Sequence, residues 1–222
     1  MSSLGIISLE QEQELLAFIR QTLSIQTKGK MSLWPTDFLA LHNVTADLTE
    51  REVKILEIDV GFVLKQLHFH NAQMMFHGVI EDTRYDFAPG QGTNVLETVR
   101  IRRKNNSYVL TIKKKNTGKE LKEREEFEVA LQHPTLFEEA FTALGLVPIH
   151  IKKKVRYSYE LQSIDYGNIT ADVDMYETIP ALLEIEWTTK DIIWKWIEVL
   201  GLDDHKIVNW SAREALAYYK QW

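Results

Sequence analysis

Two rhythms of apolar and polar residues divide the chain, and the change between them falls near residue 49. Before it the spacing is helical: Leu9, Leu16, Ile19 and Leu23 recur as a stripe, which predicts a helix over 8–23. Ser8 with Gln11 three places on supplies a capping box for its start. Residues 26–30 are polar and contain a glycine, as a linker would, and Pro35 opens a short predicted helix over 34–42. This extension, residues 1–48, carries no chemical constellation. It reads as a packing or oligomerising appendage, which allows a homodimer.

From residue 49 the period shortens to two, the spacing of strands with one apolar face. The run EREVKILEI, from Glu50, is the first, and further strands are expected over 79–87, 96–103, 108–115, 124–130, 150–160, 169–175 and 181–187. Asn105-Asn106 marks a turn between two of them. Helices are predicted over 60–70 with Asp59 as cap, over 134–144 stopping at Gly145, and over 190–200 ending at Gly201. A capping box of Ser211 and Glu214 starts a last helix that reaches Trp222. Residues 49–222 are therefore expected to form one domain of α+β class.

The polar face of these strands is unusual. Glu50, Glu52 and Lys54 share a side of the first strand, and Arg100 with Arg102 share a side of another. The same alternation sets apart Lys113 and Lys115, Glu126 and Glu128, Lys152 with Lys154 and Arg156, Asp172 and Asp174, and Glu184 and Glu186. An ordinary solvated face mixes charges of both signs with neutral polar residues. Here the signs are segregated strand by strand, the first strand alone carrying both. About eight antiparallel strands with one charged face suit a closed β-barrel whose lumen is a charged tunnel, with helices packed outside. Like charges lining a lumen are costly unless a ligand or metal offsets them. The plainer alternative is a half-exposed sheet with a solvated charged face.

Composition narrows the partners. Apolar residues make up 45% and charged residues 26%, ordinary for a globular protein of 222 residues. A formal net charge of −6 argues against nucleic acid as partner, since affinity for phosphate backbones rests on basic surface. An RNA-binding role for the lysines at 113–115 and 152–154 is disfavoured on the same ground. There is no cysteine, so thiolate metal sites and disulfides are excluded. No stretch approaches the roughly 20 apolar residues of a membrane span. A cytoplasmic protein with no membrane partner is the expectation. Carboxylates are hard ligands suited to Mg²⁺ or Mn²⁺, and lysine and arginine suit phosphate.

The ordered set of charged motifs resembles the CYTH superfamily, the triphosphate tunnel metalloenzymes. E-x-E-x-K at Glu50, Glu52 and Lys54 is followed by Tyr85-Asp86, VRIR with Arg100 and Arg102, LTIK with Lys113, and REEFE with Arg124, Glu126 and Glu128. KKKVR ending in Arg156, DVD with Asp174, and PALLEIEW with Glu184 and Glu186 complete the order. The likeness covers roughly residues 50–215. It implies a metal-dependent enzyme acting on a triphosphate such as ATP, tripolyphosphate or thiamine triphosphate, either as a class IV adenylyl cyclase or as a triphosphatase. On matching positions Glu50, Glu52, Glu128, Glu184 and Glu186 would hold Mg²⁺ or Mn²⁺. Lys54, Arg100, Arg102, Lys113, Lys152, Lys154 and Arg156 would grip phosphates, with Lys54 and Arg156 closest to catalysis. Asp174 and Glu126 would support them. A non-catalytic polyphosphate or nucleotide sensor is the alternative.

Overall fold

A computed structural model describes residues 8–27, 49–87, 96–114, 123–164, 167–187 and 192–220. It is an α+β protein built on a large antiparallel sheet, with five helices among the described residues. The strands are β1 (Thr49–Leu56), β2 (Gln73–Phe87), β3 (Leu96–Lys104), β4 (Ser107–Lys114), β5 (Glu123–Leu131), β6 (Leu146–Leu161), β7 (Ile169–Met175), β8 (Leu182–Trp187) and the two-residue β9 (Ile207–Val208). The helices are α1 (Leu9–Thr27), α2 (Val60–Phe69), α3 (Pro134–Ala143), α4 (Ile192–Val199) and α5 (Ala212–Lys220).

The chain divides into two compact units. The first takes Met1–Thr49, Glu81–Thr117 and Arg124–Lys152; the second takes Glu50–Ile80, Gly118–Glu123 and Lys153–Trp222. Strands β2 and β6 run through both.

In the first unit β3, β4 and β5 pair antiparallel, with Arg100 opposite Thr111 and Thr111 opposite Glu128. The two-residue turn Asn105-Asn106 joins β3 to β4, and Asn105 takes the left-handed conformation at φ 52, which asparagine tolerates better than most residues. The alternate positions Val99, Ile101, Leu110, Ile112, Phe127 and Val129 point the other way. They form one core with Phe137 and Phe141 of α3 and with Leu15, Leu16, Phe18 and Ile19 of α1. Of the stripe expected on α1, Leu16 and Ile19 are buried while Leu9 is 44% exposed, and Leu15 and Phe18 widen the buried face. The side chain of Leu23 lies outside the described residues.

Glu12 is fully buried on that same face of α1. Its carboxylate accepts hydrogen bonds from the backbone N–H groups of Gln132 and His133 at 2.6 and 3.3 Å, and contacts His133 Nδ1 at 2.9 Å. His133 is the residue that caps α3, yet its own side chain makes no capping bond. The carboxylate from α1 therefore lies at the start of α3, where a helix leaves N–H groups unpaired and favours negative charge.

In the second unit the hydrogen-bonded order is β6-β7-β8-β1-β9. Val53, Ile55, Ala171, Val173, Leu183, Ile185 and Trp187 share one face and pack with Val63 and Leu67 of α2 and with Ile193, Trp196 and Ile197 of α4. Trp194 of the same helix α4 is 59% exposed. A smaller cluster of Leu56, Ile179, Leu182 and Ala215 lies under α5.

The three caps read from sequence form as expected. Asp59 Oδ1 accepts from Phe62 N at 2.8 Å, Ser8 and Gln11 bond reciprocally, and so do Ser211 and Glu214. Gly145 and Gly201, each with positive φ, follow α3 and α4 where stops were expected. Two strands begin earlier than expected, β2 at Gln73 and β6 at Leu146. Gln26 and Thr27, read as the start of a linker, close α1 instead. The rest of that linker, the helix expected over 34–42 and the last two residues of the chain lie outside the described residues.

Replacing Glu12 by Ala is expected to destabilise the protein by about 1–2 kcal/mol, through amides left unpaired at the start of α3. Replacement by Gln, which keeps one acceptor, is expected to cost less. Urea denaturation of the two variants checks both. Equal midpoints for Glu12→Ala and the parent would mean that water replaces the carboxylate without loss.

Candidate functional site

Each unit carries a charged cluster on the sheet face opposite its apolar core, and the two clusters have opposite balance. The alternation of strand side chains creates both.

In the first unit the cluster is built from β2, β3, β4 and β5. Arg102 grips Asp82 with two bonds, Nε to Oδ1 at 2.7 Å and Nη2 to Oδ2 at 3.1 Å. Arg100 Nη1 lies 3.6 Å from the same carboxylate, while its Nη2 donates to Thr111 Oγ1 at 3.0 Å and to Glu128 Oε1 at 3.3 Å. Thr111 in turn donates to Glu128 Oε1 at 2.6 Å. Burial pushes the Glu128 carboxyl upward, but Arg100, Arg102, the Thr111 hydroxyl and Lys113 outweigh it and hold it below the usual range. Lys113 is also buried on this face. Among the described residues Arg100, Arg102 and Lys113 outnumber Asp82 and Glu128, so the described part of this cluster is cationic in excess.

In the second unit the cluster comes from β1, β6, β7 and β8. The register puts Glu52 opposite Glu186, Lys54 opposite Glu184, Glu184 opposite Asp172, and Asp174 opposite Arg156. Lys54, 1% exposed, lies between Glu52 Oε1 at 2.8 Å and Glu184 Oε2 at 3.0 Å. Burial pulls its ammonium pKa down, yet the two carboxylates more than reverse this and raise it above its ordinary value. Arg156 is held by three acids. Asp174 takes Nε at 2.5 Å and Nη2 at 2.6 Å, Asp172 takes Nη1, and Glu184 Oε1 lies 3.5 Å from Nη2. Lys154 donates to Asp174 Oδ2 at 2.6 Å.

Burial works against the charged forms of Asp174 and Glu184, but the neighbouring cations prevail and keep both carboxyls below their usual range. Arg156 is raised further by Asp172 and Asp174. Among the described residues Glu52, Asp172, Asp174 and Glu184 outnumber Lys54, Lys154 and Arg156, so the described part of this cluster is anionic in excess.

Of the residues expected from sequence, Glu52, Lys54, Lys154, Arg156, Asp174 and Glu184 come together in the second unit, with Glu186 beside them but exposed. Arg100, Arg102, Lys113 and Glu128 come together in the first. Lys152 lies on β6, partly buried, in the first unit. The side chains of Glu50 and Glu126 lie outside the described residues, although both positions are in strands.

Three participants were not assigned from the sequence. Asp82 anchors both arginines, Thr111 bridges Arg100 to Glu128, and Asp172 closes on Arg156. A signal for Asp82 was present, because Asp82, Arg84 and Asp86 repeat the same every-other-residue charge on β2.

The donors suit Mg²⁺ or Mn²⁺ chemically, being carboxylate oxygens. Among the described residues, however, no three acidic or histidine side chains are gathered as a ready metal site. Glu52, Asp172, Asp174 and Glu184 are instead turned onto internal cations. A metal would have to take its ligands from those partners. No helix among the described residues is long and apolar enough to cross a membrane.

Comparison with known proteins places these features. The family model described as CYTH domain matches residues 48–216. A protein of Methanocaldococcus jannaschii named "Putative adenylate cyclase" is 26% identical over 145 residues, 65% of this chain and 80% of that one. The solved structure of a Vibrio parahaemolyticus protein given the same name superimposes with a TM-score of 0.59 at 15% identity, covering 78% of this chain and 99% of its own. A Hippeastrum structure, described as that of an adenylyl cyclase of the same standing with a dominant triphosphatase activity, gives a TM-score of 0.56 at 16% identity, covering 78% and 95%. At such identities the two structures speak for the fold.

Because Asp174 and Glu184 have lowered values in the folded protein, the stability they contribute is complete above their unfolded values of about 4. It is lost as the pH falls through the folded values. The parent protein is expected to lose thermal stability steeply below about pH 4, and Glu184→Gln to lose it less steeply. At neutral pH the variant is expected to be weaker by up to about 3 kcal/mol, the gap narrowing in acid. Melting temperatures between pH 7 and pH 2.5 test this; a gap that stays constant would contradict the pairing described.

Proposed function

Since this chain belongs to the CYTH domain family, we propose that it is a metal-dependent enzyme acting on a triphosphate-bearing substrate. The observation that carries this reading is the buried cluster of the second unit, where Lys54, Lys154 and Arg156 stand among Glu52, Asp172, Asp174 and Glu184 on one sheet face. A triphosphate with its divalent metal needs both kinds of partner. Arg100, Arg102 and Lys113 are read as phosphate ligands, as are Lys54, Lys152, Lys154 and Arg156. Glu52, Glu184 and Glu186, with Glu50 and Glu128, are read as the carboxylates that hold Mg²⁺ or Mn²⁺. Asp174 and Glu126 are read as supports. The closed, charged β-tunnel implied by the sequence resemblance belongs to this same proposal.

The electrostatics limit what Lys54 and Arg156 can do. Both are raised above their ordinary values, so both stay protonated at neutral pH and neither can serve as a general base. Their catalytic role would be to hold and neutralise phosphate oxygens while the nucleophile attacks in line. A bound divalent metal would add further neutralisation of phosphate charge and position the attacking oxygen.

In a cyclase the ribose 3′-oxygen attacks the α-phosphorus of ATP, and pyrophosphate leaves. In a triphosphatase water attacks a terminal phosphorus, and orthophosphate leaves. The name of the Methanocaldococcus jannaschii relative favours the first, and the activity described for the Hippeastrum protein favours the second. We rank the cyclase reading first, because that relative is the more similar in sequence, with triphosphate hydrolysis second.

Incubation with Mg²⁺ or Mn²⁺ and, separately, ATP, tripolyphosphate and thiamine triphosphate distinguishes the two. Cyclic AMP with pyrophosphate is the expected product from ATP. Orthophosphate release would establish the hydrolase. Arg102→Ala is expected to lower turnover by about 100-fold or more, by analogy with the loss of one preorganised donor to a developing charge. Trp194→Ala, an exposed change on α4, is expected to leave turnover unchanged. Binding of tripolyphosphate without turnover of any substrate would overturn the enzyme reading in favour of a sensor.

A further inference from the structure

Arg156 is held by acids of two different kinds. Asp174 is fully buried and takes the edge of the guanidinium formed by Nε and Nη2, a forked and geometrically specific pairing. Asp172 takes only Nη1, through Oδ2, and its side chain is 13% exposed. Its other oxygen, Oδ1, is buried and has no hydrogen-bond partner. The register also places Asp172 directly opposite Glu184 on β8, with Ser158 of β6 on its other side. Like charges directly opposite one another across strands repel, and Arg156, which contacts both acids, relieves that repulsion.

Asp172 thus holds Arg156 through one donor atom only, where Asp174 holds a whole edge, and its release carries a cost of its own. An anion that takes the Nη1 donor now held by Asp172 must displace that carboxylate. The displaced carboxylate would then be left beside Glu184 with both oxygens unpaired, a poor arrangement away from water. A divalent cation shared by the two carboxylates removes that cost.

We propose that Asp172 is a positioning residue that makes anion binding at Arg156 depend on a divalent cation. In its absence the carboxylate occupies Nη1 and competes with phosphate. In the presence of Mg²⁺ it passes to the metal and leaves Nη1 to the substrate. The inference rests on the triphosphate reading above, and it adds a coupling between the two ligands that a single role for each residue would not give.

The test is tripolyphosphate binding by isothermal titration calorimetry on the full chain, in EDTA and in saturating Mg²⁺. In EDTA, Asp172→Asn is expected to bind at least about tenfold more tightly than the parent, and in Mg²⁺ the two are expected to agree within about threefold. Loss of one nearby negative charge would raise affinity equally in both conditions, so an equal gain, or none, overturns the proposal. In an Arg156→Lys background, which has no Nη1, Asp172→Asn is expected to give no gain in EDTA. A gain of the same size there would also overturn it. Asp172→Thr serves as second variant should the asparagine form fail to fold, and it carries the same expectations. Failure of the parent itself to bind tripolyphosphate in Mg²⁺ would overturn the triphosphate reading instead.

Discussion

A charge closed off from water must meet an opposite charge, and the charged faces of this protein are organised by that demand. Strand geometry puts every second residue on one face, so the same alternation that fills each apolar core must place the remaining side chains together. In the second unit these are Lys54, Lys154, Arg156 and four carboxylates, almost all closed to water. Such pairs add little net stability compared with an apolar core, but removing one partner is expensive. The arrangement is therefore better explained by what it can bind than by what it contributes to folding.

The pairing also says how a ligand would be received. Side chains already oriented by one another need little reorganisation when phosphate or metal arrives, which is the condition for strong electrostatic stabilisation. The cost is that each ligand has to compete with an internal partner. Asp82 plays this part for Arg100 and Arg102, as Asp172 and Asp174 do for Arg156. Arginine suits this role because its fork can hold a carboxylate on one edge and still present another donor.

Much of this was legible in the sequence because two periodicities and a few capping residues are local signals. The alternation of Arg100 with Ile101, or of Glu184 with Ile185, identifies the face of a side chain without any knowledge of its neighbours. Register is not local, and the sequence did not reveal it. Nothing in residues 169–175 says that Asp172 will stand opposite Glu184 while Asp174 stands opposite Arg156. Strand starts were missed where the flanking side chains, several of them apolar, are exposed and so do not alternate between core and solvent. Gln73, Met74 and Met75 of β2 are of this kind, and so are Val147 to Ile149 of β6. The buried face of α1 is centred where its spacing puts it, at Leu16 and Ile19, but its extent is not local: contact with Phe137 and Phe141 brings in Leu15 and Phe18 and leaves Leu9 out.

The helix α1 has a practical meaning for anyone who would shorten this protein. The family match begins at residue 48, which invites a cut there. Yet Leu15, Leu16, Phe18 and Ile19 belong to the core of the first unit, and Glu12 caps α3 within it. A chain trimmed to the family boundary would keep every residue of the two charged clusters and still leave an oily scar where the helix had lain. Such a surface invites self-association. For this protein the charged clusters and the core beneath them span different lengths of chain.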